Sequence, residues 1–197
     1  MSDCVPKDRA PEPQRRSYEP RIKLENGIVK LKGEYNRGGF FEELNGERYY
    51  VVSNSQELSD IINRRNDILI SLSSHGRNSL NNLVTTLVDS MELLFKNWNS
   101  GELEIKVSKW DVSNVKDMTS LFEDCETFND NISNWDVSNV KDMTGLFEGC
   151  ESFNQPIGNW NVSRVSNMQG MFFKCKSFNQ PIGNWNTTRV TGMGGMF

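Results

Sequence analysis

A segment of 26 residues sets the architecture of this chain: WDVSNVKDMTGLFEGCESFNQPIGNW, at positions 135–160. Close copies of it recur on both sides with a period of 25 residues, which the tryptophans mark: Trp110, Trp135, Trp160 and Trp185. Valine, methionine, phenylalanine and isoleucine positions keep the same period, and a cysteine keeps it in three copies. A fixed period of this length is typical of repeats that stack, because no single copy can bury its apolar side alone.

Within each copy, the spacing of apolar residues predicts a short helix followed by an extended arm. Val140, Met143, Phe147 and Cys150 fall at helical spacing and would share one face of a helix over residues 138–150. Proline and glycine in the following FNQPIGNW exclude a helix there. We therefore expect about three turns of helix and one short strand in each copy, with the strands of successive copies paired in parallel at about 4.8 Å.

The first half of the chain has a different pattern. Residues 1–20 hold four prolines among polar residues and are predicted to be a disordered tail. The turns Asn26-Gly27 and Asn45-Gly46 predict two β-hairpins, and SNSQELSDIINRRN predicts a short helix capped near residues 53–55. DILISL at 67–72 and LEIKV at 103–107 are interpreted as strands.

A long amphipathic helix is predicted from Ser79 to the end of the first half. Its apolar residues recur at steps of three and four: Leu80, Leu83, Val84, Leu87, Val88, Met91, Leu94, Phe95 and Trp98. With the strands before and after it, this helix would form a parallel crossover. The predicted domains are thus a tail at 1–20, an α+β capping domain at 21–98 and the repeats at 99–197.

The repeat resembles that of the BspA-like leucine-rich-repeat proteins, in which W-D-V-S-N-V is followed by spaced methionine, phenylalanine and F-N-Q positions. The resemblance covers residues 103–197. It implies an α/β fold, a short right-handed leucine-rich-repeat-like solenoid preceded by the small α+β capping domain. It also implies adhesion or protein binding and no catalytic residues. The secretion or lipidation signals of the surface members of that family are not evident in this sequence.

Composition narrows the classes of function. The hydrophobic fraction is 36%, the charged fraction 24% and the formal net charge −4, which disfavours a nucleic-acid-binding protein. No apolar run is long enough for a membrane span, and no signal peptide is evident, so we expect an intracellular or virion-associated protein. Neither a metal nor a cofactor site is expected from one histidine and four cysteines. Cys125, Cys150 and Cys175 are interpreted as inert core residues.

The leading functional prediction is a non-enzymatic protein–protein interaction module that binds an unidentified protein through the repeats. The column Asn129, Asn154 and Asn179 is interpreted as scaffold, because it is invariant, whereas positions that vary between copies are candidates for recognition. These candidates, with the apolar residues of the last copy, are Asp111, Asp130, Asp136, Gln155, Asn161, Gln180, Asn186, Met193, Met196 and Phe197.

Two alternatives remain open. The protein could be a structural component of a larger assembly, such as a viral particle, and could dock or self-associate through its last repeat. Charge favours such contacts, since residues 99–151 carry 4 lysines and 12 acids whereas residues 152–197 carry four cations and no acid. An enzyme in residues 21–98 would need a deep polar pocket near His75 and Arg77.

Overall fold

The computed structural model describes residues 21–32, 37–64, 80–98 and 105–197. Both predicted hairpins are confirmed. Strand β1 (Ile22–Glu25) pairs antiparallel with β2 (Ile28–Leu31), and β3 (Phe40–Leu44) pairs antiparallel with β4 (Glu47–Val51). Asn26-Gly27 and Asn45-Gly46 form the turns, and all four residues have positive φ, as the tight turns of twisted hairpins require.

The predicted short helix is also confirmed, as α1 (Ser55–Arg64). Asn54 caps it, because its Oδ1 accepts the amide of Glu57 at 2.9 Å, and Glu57 in turn accepts the amide of Ser53 at 2.6 Å. Leu58, Ile61 and Ile62 of α1 are fully buried.

The predicted long helix from Ser79 is wrong. In its place the structure has a 3-10 helix (Leu80–Asn82), the two-residue strand β5 (Leu83–Val84) and a series of turns through residue 98. Strand β5 pairs parallel with β4, which gives a three-stranded sheet of order β3-β4-β5. The predicted tail at 1–20, the strand at 67–72 and the loop with His75 and Arg77 lie outside the described residues.

Turns replace the predicted helix in the later copies as well. In residues 143–150, the amides of Leu146, Glu148 and Cys150 close turns onto the third residue before them. The amides of the alternating residues donate instead to backbone carbonyls of the next copy, at 2.8 to 3.0 Å: Met143 to Asn167, Gly145 to Gln169, Phe147 to Met171 and Gly149 to Phe173. Gly145 and Gly149 have positive φ, so the backbone changes handedness at both residues and cannot wind into a helix.

Residues 83–98 form a further copy of the repeat, which we call the leading repeat. Each of its residues corresponds to the residue 27 positions later, within 110–125. Met91, for example, corresponds to Met118. The amides of Met91, Leu93, Phe95 and Asn97 donate to the carbonyls of residues 117, 119, 121 and 123. Leu93 and Asn97 have positive φ, as do their counterparts Ser120 and Asp124. The leading repeat therefore has the backbone of the other copies without their most recognisable residues.

The apolar columns predicted from the sequence are confirmed. One stack of phenylalanines runs through the leading repeat and the four copies after it, with ring centroids 5.7 to 5.8 Å apart: Phe95, Phe122, Phe147, Phe172 and Phe197. The indoles of Trp135, Trp160 and Trp185 each donate at 3.2 Å to the backbone carbonyl 28 residues earlier, and the indole of Trp110 donates to the Leu80 carbonyl at 2.6 Å. Columns of identical side chains thus join successive copies.

The predicted fold class, an α/β leucine-rich-repeat-like solenoid behind an α+β cap, is wrong. The described residues contain small sheets and a single α-helix, α1, and the repeats contain neither the predicted helices nor continuous strands after β5. Parallel pairing between copies is limited to one bridge at each junction, for example Asp117 with Asp142. The physical reason is that the amides needed for a helix or a strand are divided between turns and neighbouring copies. The predicted boundary at 98/99 stays a prediction, and one buried cluster extends across it from Ile28 to Trp185.

Candidate functional site

The candidates that directly follow the tryptophans occupy one row, which we call the Asx row: Asp111, Asp136, Asn161 and Asn186. In each, Oδ1 accepts the amide of the residue two positions later, at 3.1 to 3.2 Å. This local bond is the reason that Asp or Asn occurs in every copy, because a short side chain with an acceptor fixes the turn. Asp136, Asn161 and Asn186 are exposed and leave part of their polar surface free for a partner.

Asp111 differs from the rest of the row because the chain covers it. It is 3% exposed, and Lys30 of β2 places its ammonium 4.0 Å from Oδ1. Its Oδ2 is buried and has no hydrogen-bond partner in the part of the chain that the structure describes. A buried carboxylate oxygen without a donor is costly. The Ser113 hydroxyl, which donates to Oδ1 at 2.7 Å, and the Lys30 ammonium together compensate this charge.

Strand β2 crosses the copies along this row. The amide of Leu31 donates to Thr86 Oγ1 of the leading repeat at 3.0 Å, and the amide of Val29 donates to the Lys109 carbonyl at 3.1 Å. At the hairpin turn, a Cβ added to Gly27 would lie 3.9 Å from Asn134 Nδ2. Leu31 and Val29, two residues apart in this strand, thus bond to Thr86 and to Lys109, and the turn residue Gly27 lies near Asn134.

The candidates in the extended arm serve the scaffold. Asp130 is buried, and its Oδ2 accepts the amides of Val107 at 2.7 Å and Ser108 at 2.8 Å. The side-chain amides of Gln155 and Gln180 donate to the asparagine of the preceding copy, at 2.8 Å to Oδ1 in both cases.

The asparagine column is structural, as the sequence indicated. Asn129 Oδ1 accepts the amide of Asn154 at 3.0 Å, and Asn154 Oδ1 accepts the amide of Asn179 at 2.9 Å. The side chains of Asn129 and Asn154 thus each satisfy a backbone amide one period later.

Met193, Met196 and Phe197 are in the last copy, which also contains Asn186 of the Asx row. Phe197 is 71% exposed and Met193 44% exposed, and Met196 is half-buried. The Phe197 ring stacks on Phe172 with centroids 5.7 Å apart. The last copy therefore exposes apolar side chains.

The cysteines have the properties of core residues. Cys125 and Cys150 are buried, Cys175 is half-buried, and all three are unpaired. Their thiols donate to the carbonyls of Phe95, Phe122 and Phe147, at 2.8 to 3.0 Å. Burial raises the pKa of Cys125 and of Cys175 to about 12 and raises the pKa of Cys150 further. Such thiols hold almost no thiolate at neutral pH and are poor nucleophiles.

Acidic side chains lie side by side on the turns. Burial, then the carboxylates of Glu123 and Asp124, raise the pKa of Glu148. Burial also acts to raise the pKa of Glu123, but the Lys96 ammonium, 2.7 Å from its carboxylate, and the Ser120 hydroxyl together lower the pKa below its usual value. Within the described ranges, no group of three or more His, Cys, Asp or Glu side chains is placed to hold a metal ion.

Sequence reasoning missed the residues that precede the tryptophans: Lys109, Asn134, Asn159 and Asn184. Lys109 contacts β2 through its carbonyl and Glu47 through its ammonium, at 3.3 Å. Asn134, Asn159 and Asn184 are exposed beside the Asx row. The available signal was the Asn26-Gly27 hairpin with Lys30 in its second strand, but nothing in the sequence showed where that hairpin packs.

The fold and the site together define a repeat protein in which turn-rich copies of 25 residues bond to one another and hold the chain's own β-hairpin against one row. A family model described as "Mycoplasma protein of unknown function, DUF285" matches residues 75–197, and the chain belongs to this family. The match includes the leading repeat. No curated protein and no solved structure matches the chain. Among the described residues, no helix is both long enough and apolar enough to cross a membrane.

Proposed function

We propose that this protein is a non-enzymatic binding module that holds a partner protein along the exposed part of the Asx row, Asp136, Asn161 and Asn186. The observation that carries the proposal is β2, which lies on the same row at Asp111. A surface that already binds a strand of its own chain has the hydrogen-bonding groups and the shape to bind polypeptide.

The arrangement of the array supports this role. Backbone bonds between copies and the asparagine column satisfy the polar groups of the scaffold, so it can present the row without rearrangement. Among the exposed residues of the row, Asp136 carries a charge whereas Asn161 and Asn186 are neutral, so the copies are not equivalent to a partner. The resemblance of the repeat to BspA-like proteins points in the same direction.

An intracellular or virion-associated place of action is part of this proposal. Its support is the set of three unpaired cysteines among the described residues, since such thiols are typical of a reducing compartment.

Site-specific photo-crosslinking in cells of the natural source tests the proposal. The full-length protein would carry a photoreactive residue at Asn161 or, as the matched control, at Thr127, which is exposed in the turn after Cys125. We expect one discrete protein adduct from position 161 and none of that mass from position 127. Equal crosslinking from both positions, or none from 161, would refute binding along the row.

Assembly through the last copy is the second candidate, and the exposure of Phe197 and Met193 favours it. Sedimentation velocity over a range of protein concentrations separates the two roles. A mass that rises with concentration in the unmodified chain but not after Met193→Ser with Phe197→Ser would support assembly. A monomer at every concentration would exclude self-assembly through these residues.

A further inference from the structure

We propose that the Asx row beyond the hairpin turn binds an extended polypeptide segment that places one lysine or arginine against Asp136. This inference rests on the proposed function and specifies the chemistry of the partner. It follows from the continuity of the row with the surface that β2 already covers.

The path of β2 shows how an extended segment fits the array. Leu31 meets the leading repeat, Val29 meets the next copy through Lys109, and Gly27 reaches Asn134 in the copy after that. From Leu31 back to Val29, the contacts move along the array from Thr86 to Lys109, and the hairpin turn lies near Asn134. The row continues past this turn through exposed residues: Asn159, Asn161, Asn184 and Asn186.

The backbone offers the same acceptor in each copy. Val29 donates to the Lys109 carbonyl, whose counterparts are the carbonyls of Asn134, Asn159 and Asn184. Over residues 21–32, 37–64, 80–98 and 105–197, no backbone amide donates to these three carbonyls. Since the hairpin turn lies at Asn134, a strand added beyond it can make with the Asn159 and Asn184 carbonyls the type of bond that β2 makes with Lys109.

Charge specifies the residue that faces the row. Lys30 lies 4.0 Å from Asp111, and Asp136 is the next position of the row, with the same turn and an exposed carboxylate. The two positions after it are Asn161 and Asn186, each followed three residues later by arginine. The Arg164 guanidinium donates to Asn139 Oδ1 and so reaches back to the copy of Asp136, but Asp136 is the one acidic position of the exposed row. An added cation is therefore attracted to Asp136 and to no later position of the row.

Binding of a defined peptide tests the inference. The probe is a blocked, fluorescein-labelled peptide with the sequence of residues 27–32, GIVKLK, added to the full chain and followed by fluorescence anisotropy at low salt. We expect Asp136→Asn to weaken binding about threefold, as loss of an exposed ion pair does. Glu92→Gln, which removes an exposed acid from the leading repeat, is the matched control and should leave binding unchanged.

A second peptide, GIVQLK, completes a double-mutant cycle. It should bind the unmodified protein about threefold more weakly than GIVKLK does. Its affinity for the Asp136→Asn variant should be the same as its affinity for the unmodified protein, because the ion pair is already lost. Equal effects of Asp136→Asn and Glu92→Gln, additive losses, or no binding of GIVKLK at millimolar concentration would overturn the inference. If the adduct at position 161 persists in the Asp136→Asn variant while the peptide fails to bind, the row binds protein by other chemistry and only this inference falls.

Discussion

The leading repeat, residues 83–98, and its counterpart at 110–125 have the same backbone structure. Only the counterpart has the sequence motif by which the repeat is recognised. The counterpart has the tryptophan, the cysteine and the D-V-S-N-V motif that recur with a period of 25. The leading repeat has Leu83, Trp98 and V-T-T-L-V at those positions, at a displacement of 27. Both donate alternate amides to the copy that follows, and both have two residues of positive φ in their turns.

The difference shows that helical spacing of apolar residues is not specific to a helix. Met91, Leu94 and Phe95 are buried at steps of three and one, and so are Met118, Leu121 and Phe122. Successive turns closed at the third residue place the same positions in the core as a helix does. What distinguishes the two structures is where the amides donate, and an amphipathic pattern contains no information about that.

The largest expected effect comes from the phenylalanine column, which joins the two regions. Phe95 and Phe122 are buried, and their rings stack at 5.7 Å. Phe95→Ala and Phe122→Ala should each lower the free energy of unfolding by about 3–5 kcal/mol, because each leaves a cavity in the stack. Urea unfolding monitored by tryptophan fluorescence measures both. A loss below about 1 kcal/mol for Phe95→Ala alone would show that the leading repeat is not part of the common core.

The next effect concerns β2, which contacts both regions. Lys30→Met should lower the free energy of unfolding by about 1–3 kcal/mol, because it leaves the buried Asp111 carboxylate without its cation. Asp111→Asn in the Lys30→Met background should recover most of this loss, since Asn161 and Asn186 form the same turn without a charge. If Lys30→Met has no effect on the urea midpoint, the contact between β2 and the Asx row is unimportant for stability.

A smaller change in stability distinguishes a turn structure of residues 83–98 from a helix, because the same substitution should stabilise the first and destabilise the second. Leu93 is 48% exposed and has a φ of 58°, which is strained for a side chain that has a Cβ. Leu93→Gly should therefore raise the free energy of unfolding by about 1 kcal/mol, and later copies already have glycine there, as at Gly145. In a helix the same change would lower it by about 1 kcal/mol.

Leu24→Gly is the matched control for this prediction, because Leu24 is exposed in the regular strand β1. It should destabilise the protein, since glycine gains nothing there and loses backbone entropy. A thermal unfolding midpoint that falls for both variants would contradict the turn structure of the leading repeat.

The last prediction concerns the reactivity of Cys125, which tests a single contact between the two regions and requires no change in stability. The Cys125 thiol donates to the Phe95 carbonyl, and burial raises the pKa of Cys125 to about 12. A raised pKa means less thiolate at a given pH, so only about one thiol in 10,000 is ionised at pH 8. In a Cys4→Ser background, iodoacetamide at pH 8 should label native Cys125 far more slowly than the urea-unfolded chain, as peptide mass spectrometry would show. Equal rates would place Cys125 at the surface.

Several parts of the fold could be predicted from the sequence because their signals are local. Asn-Gly pairs fixed both hairpins, and Asn54 with Glu57 marked the start of α1. The columns followed from the 25-residue period, since identical residues at one period must stack. The helices within the repeats could not be excluded, because the decisive bonds join residues about 24 positions apart.

The candidate site was predicted only in part. Variation between copies correctly selected exposed residues such as Asp136 and Asn161, but it also selected Asp130 and Gln155, whose side chains bond to the scaffold. A polar side chain in a turn is suited to both uses, and the sequence does not show which amide lies nearby. The covered state of Asp111 depends on how β2 packs, which no local pattern records.

The most direct test of the account is measurement of scalar couplings across hydrogen bonds by NMR, in the leading repeat of the isotope-labelled full chain. The account predicts couplings from the amide nitrogens of Met91, Leu93, Phe95 and Asn97 to the carbonyl carbons of residues 117, 119, 121 and 123. Couplings from these amides to carbonyls four residues earlier would show a helix and would contradict it.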